Sequence, residues 1–198
     1  MTQLLIATHN SDKVEEIRGI LFGVNLALVP LTDFPSIPPT VEDAGTLEGN
    51  ALKKAEEAFR ATGIPAVADD TGLEVFYLNG APGVLSSRYA GENATYADNR
   101  QKLLSRLRGV PPRRRGARFR TVVAFVPSEG KYHLFEGVCS GVIIEKERGE
   151  GGFGYDPIFL PDGYSETFAQ MQLAHKNTLS HRARAFQSFG EFLRREQW

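Results

Sequence analysis

Two adjacent carboxylates, Asp69 and Asp70, follow the apolar run Ile64–Ala68 and precede Thr71-Gly72. Strand ends in open α/β sheets line clefts, so acid chemistry has a natural place there. Glu42 and Asp43 add further acid upstream. Hard divalent cations such as Mg²⁺ take oxygen ligands and keep several waters, so one or two carboxylates suffice when a substrate brings phosphates. Asp and Gly also favour turns, so the same four residues read equally as a simple reversal of the chain.

Three other segments carry candidate chemistry. Thr8-His9-Asn10-Ser11-Asp12-Lys13 lies between a strand pattern and a helix pattern. Backbone N–H groups at a helix N-terminus attract anions, and a lysine in that first turn adds a point charge for phosphate. The alternative is a polar connection with Asn10 as cap. In Gly149-Glu150-Gly151-Gly152-Phe153-Gly154-Tyr155-Asp156-Pro157, Gly149, Gly151 and Gly154 satisfy the spacing of a dinucleotide fingerprint. That motif must open a helix, which Tyr-Asp-Pro-Ile-Phe does not do. Small residues beside Phe153 and Tyr155 would instead admit a flat base, with Asp156 accepting hydrogen bonds. The competing reading is a glycine-rich turn with its aromatics in the core. Finally, Lys176-Asn177-Thr178-Leu179-Ser180-His181-Arg182 places cations at the expected start of the last helix. The helix dipole disfavours positive charge there, so an anionic or acceptor-rich partner is implied.

The elements that must position these residues follow from hydrophobic patterning. Gln3–Ala7 reads as a strand buried on both faces. Asn10 or Ser11 then caps a helix with Val14, Ile17, Ile20 and Leu21 on one face. Asn25–Val29 reads as a second strand, and the proline-rich stretch 30–39 as a loop. A helix over about 46–62 turns Leu47, Ala51, Ala55, Ala58 and Phe59 inward. Ile64–Ala68 is a strand ending at the Asp pair. Thr95 and Asp98 form a capping box for a helix through Leu103, Leu104 and Leu107. Arg118–Val126 and Tyr132–Val138 make an antiparallel hairpin, Val142–Glu147 a further strand, and 179–195 the last helix. Strand–helix alternation followed by consecutive strands predicts an α/β protein with a mixed sheet. The expected domain is single, 1–198, with a smaller β-rich lobe around 110–165.

Composition bounds the alternatives. The 198 residues are 41% hydrophobic and 24% charged, which excludes a disordered chain. The longest unbroken apolar run, Val122–Val126, is far short of the roughly 20 residues of a membrane span. No leader is evident at the N-terminus, and the single Cys139 forbids an internal disulfide framework. The expectation is a cytoplasmic protein without a membrane partner. The net charge of −1 conceals a split: residues 99–128 hold nine Lys or Arg and no Asp or Glu, leaving 14 basic against 24 acidic residues elsewhere. The block reads as a nucleic-acid patch or as a solvated helix face and loop. Pro111-Pro112 interrupts it and no stacking aromatics interleave it before Phe119, which favours the second reading and no specific nucleic-acid partner.

Thr8-x-Asn10-x-x-Lys13, Glu42 with Thr46 and Asn50-Ala51, Ala68-Asp69-Asp70-Thr71-Gly72-Leu73, Asn79-Gly80-Ala81-Pro82-Gly83, Arg88-Tyr89-Ala90-Gly91-Glu92, Gly151-Gly152-Phe153-Gly154-Tyr155-Asp156-Pro157-Ile158-Phe159 and Ser180-His181-Arg182 occur in one order. In that order and approximate spacing the chain closely resembles, over essentially its whole length, the inosine/xanthosine triphosphate pyrophosphatases. The resemblance implies an elongated, curved mixed β-sheet with packed helices around a central substrate cleft, in a homodimer. It implies Mg²⁺-dependent hydrolysis of ITP, dITP and XTP to the monophosphate and pyrophosphate. Glu42 and Asp70 would hold the metal, with Asp70 the proton acceptor and Asp69 assisting. Thr8, His9, Asn10, Ser11, Asp12, Lys13, Thr71 and Lys176 would contact the triphosphate or sugar. Phe153, Gly154, Tyr155, Asp156, His181 and Arg182 would form the base pocket. Gly49, Phe76 and His175 depart from the family pattern, each where an acid is usual. A pyrophosphatase for modified pyrimidines, an arginine-rich nucleic-acid module and a nicotinamide-dependent oxidoreductase are the competing readings.

Overall fold

The computed structural model describes residues 2–198. Strand β1 (Thr2–Ile6) is followed by α1 (Ser11–Ile20), β2 (Leu26–Pro30), α2 (Leu47–Thr62), β3 (Ala66–Val75), β4 (Pro82–Gly83), α3 (Tyr96–Arg106), β5 (Gly116–Ser128), β6 (Lys131–Ile143), β7 (Phe159–Pro161), α4 (Leu173–Leu179) and α5 (His181–Arg195). Among the described residues the strands form one sheet of order β2-β1-β3-β5-β6-β7, with β4 paired to β3. β1 runs parallel to both β2 and β3, whereas β3–β4 and β6–β7 are antiparallel. This is the mixed α/β sheet that the alternation of patterns predicts.

The chain forms two compact units. One takes in the chain up to Asp70, Thr121–Gly137 and His181–Trp198. Its core joins Leu4 and Ile6 of β1, Val14 and Ile17 of α1, Val67, Phe125 and the α5 residues Phe186 and Phe189. The other comprises Thr71–Arg120 and Val138–Ser180. It closes over Leu73, Leu103, Phe119, Tyr155, Phe159 and Phe168.

Local chemistry explains most boundaries. Asn10 caps α1, its side-chain oxygen accepting from the Lys13 N–H at 3.1 Å. Thr46 caps α2 in the same way, and Gly63 ends that helix in the left-handed region at φ 70°. Thr95 and Asp98 make the expected capping box of α3. The two-residue turn Glu129-Gly130 joins the neighbouring strands β5 and β6.

Three expectations are corrected. β3 does not end at the Asp pair: it continues through Asp69, Asp70 and Thr71 to Val75. The strand survives because Leu73 and Val75 are fully buried and Leu73 pairs with Gly83 of β4. Gly72 is there for closeness rather than for a turn, since a Cβ would lie 2.8 Å from the Gly83 carbonyl oxygen. Second, Val142–Glu147 is not a separate strand. Val142 and Ile143 end β6, paired with Leu160 and Phe159, and the charged Glu145-Lys146-Glu147 that follow lack the apolar alternation to continue it. Third, the final helix opens at His181 rather than at Leu179, which instead ends a separate short helix before it. Ser180 is extended (φ −68°, ψ 161°), its N–H returning to the Lys176 carbonyl, so α4 closes before α5 opens.

The basic block is not a uniformly solvated face. Arg115 is only 3% exposed, and donates from Nη2 to the Leu107 carbonyl at the end of α3. Arg118 pairs with Glu74 at 2.6 Å, and Arg100 with Glu147 at 2.9 Å. The block's charge is partly consumed in holding the second unit together.

Candidate active site

Successive side chains of a strand point to opposite faces, so Asp69 and Asp70 must serve different neighbours. They do. Asp69 is 2% exposed, and its Oδ2 meets Lys13 Nζ at 3.0 Å and Arg182 Nη2 at 3.0 Å. Arg182 in turn donates from Nη1 to Glu16 Oε2, and Glu16 is itself buried in α1. A relay Lys13–Asp69–Arg182–Glu16 therefore ties α1 to β3 and to the first turn of α5. Burial alone would push the Asp69 carboxyl up, but Lys13, Arg182 and Lys54 hold it well below the ordinary carboxylate range. Burial lowers the Lys13 ammonium, and Asp69 restores only part of that loss. Burial also opposes the Arg182 charge, yet Asp69 and Glu16 raise its pKa above the usual value. The anionic partner implied for a cation at the start of α5 is thus, for Arg182, supplied by this chain's own carboxylates.

Asp70 belongs to a second network. Its Oδ1 lies 2.9 Å from Lys54 Nζ, and the same ammonium lies 2.9 Å from Glu42 Oε1. Asn50 donates to Asp70 Oδ2 at 3.3 Å and accepts from the Ala44 N–H at 3.0 Å. Burial raises the Asp70 carboxyl, and with the Glu42 charge it outweighs the opposing pull of Lys54 and Lys13. Lys54 goes up despite burial, because Asp70 and Glu42 favour its charge.

The Glu42 segment is positioned by one face of α2. Asn50, Lys53, Lys54 and Glu57 stand at helical spacings of three and four, which places them on one side. Asn50 holds Ala44, Lys53 holds the Val41 carbonyl and Asp43, Lys54 holds Glu42, and Glu57 accepts from Thr40 at 2.6 Å. The adjoining face carries the buried Leu47, Ala51, Ala55 and Ala58. Helix α2 thus fixes an otherwise irregular loop against the Asp70 carboxylate.

The Thr8–Lys13 segment leads from β1 into α1. Asn10 N–H donates to Thr8 Oγ1 at 3.2 Å, and His9 Nε2 lies 3.2 Å from the Ile37 carbonyl oxygen. Ser11 and Asp12 open α1. Lys13 reaches Asp69, and its backbone N–H is taken by the Asn10 cap. Thr71, the next residue of β3 after Asp70, is half-buried.

In the second unit, Asp156 and Lys176 form a buried ion pair at Asp156 Oδ2, which also accepts from the Phe153 N–H at 3.0 Å. Lys176 Nζ stands 5.0 Å from the Phe153 ring centre and 5.4 Å from that of Phe168. Lys176 is in the last turn of α4, where a cation complements the dipole; the expected placement at a helix start is corrected. Gly152 has φ +67°, and a Cβ there would overlap the Asp156 carboxylate. Arg100 Nη1 donates to the Gly154 carbonyl at 2.9 Å. Tyr155 is 5% exposed and donates to the Ser86 carbonyl, so its ring packs in the core while Phe153 stays half-exposed. His181 and Arg182, both buried, open α5 in the first unit.

Lys54, Glu16 and Arg100 are contributors that the motifs did not single out. For Lys54 a signal existed, since the polar stripe Asn50-Lys53-Lys54-Glu57 borders the apolar face of α2. For Glu16 none did, because its burial is a property of the assembled core. Of the departures from the family pattern, Phe76 is 57% exposed, His175 packs edge-on against Tyr164 at 5.6 Å, and Gly49 donates to the capping Thr46 at 3.1 Å.

Comparison with known proteins bears on this geometry. A curated dITP/XTP pyrophosphatase of Geobacter sulfurreducens is 49% identical over 185 residues, covering 93% of each chain. That of Desulforamulus reducens is 46% identical over 193 residues, 98% of this chain and 96% of its own. The structure of a HAM1 protein from Coxiella burnetii superposes with a TM-score of 0.89 at 39% identity, covering 98% of this chain and all of that one. The Staphylococcus aureus Ham1 protein gives 0.87 at 35% identity with the same coverage. The model of the Ham1 family matches residues 4–192, and this chain belongs to that family.

Proposed function

We propose that this protein hydrolyses the non-canonical purine nucleotides ITP, dITP and XTP between the α- and β-phosphates, releasing the nucleoside monophosphate and pyrophosphate and so clearing the nucleotide pool. The observation that carries the reading is the pair Glu42–Asp70 spanned by one ammonium, 2.9 Å from each carboxylate. A site that holds a cation between two oxygen donors fits Mg²⁺, whose remaining positions go to water and substrate phosphates. Among the described residues no group of three or more His, Cys, Asp or Glu gathers into a metal cage. When bound there, Mg²⁺ would neutralise phosphate charge and acidify a water molecule.

The protein's own groups do the rest. Asp70, its pKa raised by burial, accepts the proton of the attacking water. Asp69 acts behind it by fixing Lys13, which stands in the first turn of α1 where a polyphosphate is attracted. Thr8, His9, Asn10, Ser11, Asp12, Thr71 and Lys176 complete the contacts to triphosphate and sugar. A 6-oxopurine offers an acceptor at O6 and a donor at N1, which match donors from His181 or Arg182 and the acceptor Asp156. Phe153, with the Gly154 and Tyr155 backbone beside it, offers the base a stacking surface. Adenine presents the reversed pattern and would leave buried polar groups unpaired, a strong basis for discrimination.

The same reading makes the whole chain one catalytic domain working in the cytoplasm. No helix among the described residues is long and apolar enough to cross a membrane. It also makes the protein a homodimer: Phe76 (57%) and Leu85 (51%), together with Tyr77, leave apolar surface exposed within ten residues of chain in the second unit, which a second copy would cover.

A nucleotide panel with pyrophosphate detection tests the activity. ITP, dITP and XTP should release pyrophosphate in the presence of Mg²⁺, with little from ATP, GTP or modified pyrimidine triphosphates. Comparable ATP turnover would overturn the selectivity, and preferential turnover of a modified pyrimidine would transfer the protein to another substrate class.

A further inference from the structure

The Glu42–Lys54–Asp70 bridge has a second consequence, which rests on the cation reading of that site. We propose that Lys54 is a built-in stand-in for the divalent cation: its ammonium holds Glu42 and Asp70 together and keeps a free metal ion weakly bound until a polyanionic substrate arrives.

Several features point the same way. The ammonium is 2.9 Å from one oxygen of each carboxylate, so it occupies the position between the donors that a cation would need. The Lys54 side chain is only 11% exposed, and Asp70 is 8% exposed, so water screens this contact weakly. The Glu42 loop is secured independently of Lys54 by Asn50, Lys53 and Glu57. Removing Lys54 therefore leaves the carboxylates near one another but without the ammonium that bridges them. Lys13 adds a further positive charge to the same neighbourhood, since both ammonium groups act on Asp70.

A divalent ion entering alone must displace the ammonium from both carboxylates that it bridges, and must also face Lys13. A divalent ion entering with a nucleoside triphosphate brings the anion that the displaced ammonium needs. The bridge thus couples cation binding to substrate binding. Lys54 is in this sense a positioning residue, acting on the reaction through the two carboxylates.

The experiment measures Mn²⁺ binding to the intact protein at pH 8, by electron paramagnetic resonance of the free ion, without nucleotide. Lys54→Met, which keeps length and loses charge, should bind Mn²⁺ about tenfold more tightly than wild type, the scale expected for removing one close, partly screened charge. Lys54→Gln should shift affinity in the same direction, and Lys54→Arg should remain near wild type. Adding an ITP analogue with a methylene bridge between the α- and β-phosphorus atoms should tighten Mn²⁺ binding in wild type far more than in Lys54→Met. A merely structural lysine would give Met and Gln variants with unchanged or weaker Mn²⁺ binding, and that result overturns the proposal. Glu42→Gln separates the two levels of the argument. If it leaves Mn²⁺ binding with the analogue unchanged, the cation site itself is wrong. If it weakens that binding while Lys54→Met gives no gain, only the stand-in role fails.

Discussion

Asp70→Asn should lower dITP turnover by about a thousandfold, within the range that a positioned proton acceptor contributes, while the protein stays folded. The substitution keeps the shape of the side chain and its place on β3 but removes the charge facing Lys54 and the basic oxygen required for proton transfer. Its effect on stability follows from the direction of the pKa shift. Burial raises the Asp70 carboxyl, so the ionised form costs stability at neutral pH relative to the unfolded chain. Removing the charge relieves that cost but takes from Lys54 one of its two carboxylates, so the urea midpoint should move little. Turnover within tenfold of wild type would remove Asp70 from the reaction.

Asp69→Asn should do the reverse in kind, costing about 3–5 kcal/mol of stability because it breaks a buried ionic network from one side. Lys13 and Arg182 both lose the oxygen they share, and Arg182 is 1% exposed, so water cannot compensate. For a domain with a total stability of about 5–15 kcal/mol that is a large fraction. The Asp69 carboxyl is held well below its ordinary value in the folded state, so its stabilisation is complete above about pH 5 and is lost progressively as pH falls below about 4. Urea titrations at pH 7 and pH 3.5 should therefore show a large gap between wild type and Asp69→Asn that narrows in acid. A difference below about 1 kcal/mol at pH 7, or one independent of pH, would contradict the buried network described here.

Neighbouring aspartates with opposite duties illustrate what a sequence shows and what it hides. The caps are local, so they are legible: Asn10 before α1, Thr46 before α2 and the Thr95–Asp98 box before α3 depend on residues three apart. The apolar pattern of Gln3–Ala7 likewise announces β1. The extension of β3 through Asp69 and Asp70 is not local. Acidic residues lower the expectation of a strand, and partners distant in sequence, Lys13, Arg182, Lys54 and Asn50 among them, make their burial tolerable. The break at Ser180 is hidden too. Helical spacing runs on through Leu179, Ala183 and Phe186, but Ser180 is extended and its N–H returns to the Lys176 carbonyl, which closes α4.

The candidate site follows the same division. Residue types named the acids, and strand geometry sends Asp69 and Asp70 to different faces. Their partners were legible only in part. Lys54 could have been suspected from the polar stripe of α2, whereas Glu16 reads as an ordinary surface residue of an amphipathic helix until Arg182 is placed beside it. Tyr155 shows the opposite error, an aromatic beside glycines whose hydroxyl and ring serve the core.

The central claim is hydrolysis at the α–β linkage, and the identity of the phosphorus products tests it most directly. Phosphorus NMR of a reaction with dITP and Mg²⁺ should show dIMP and pyrophosphate appearing together in equal amounts, with no dIDP at any time. Formation of dIDP and orthophosphate would place the cut at the β–γ linkage and contradict the account.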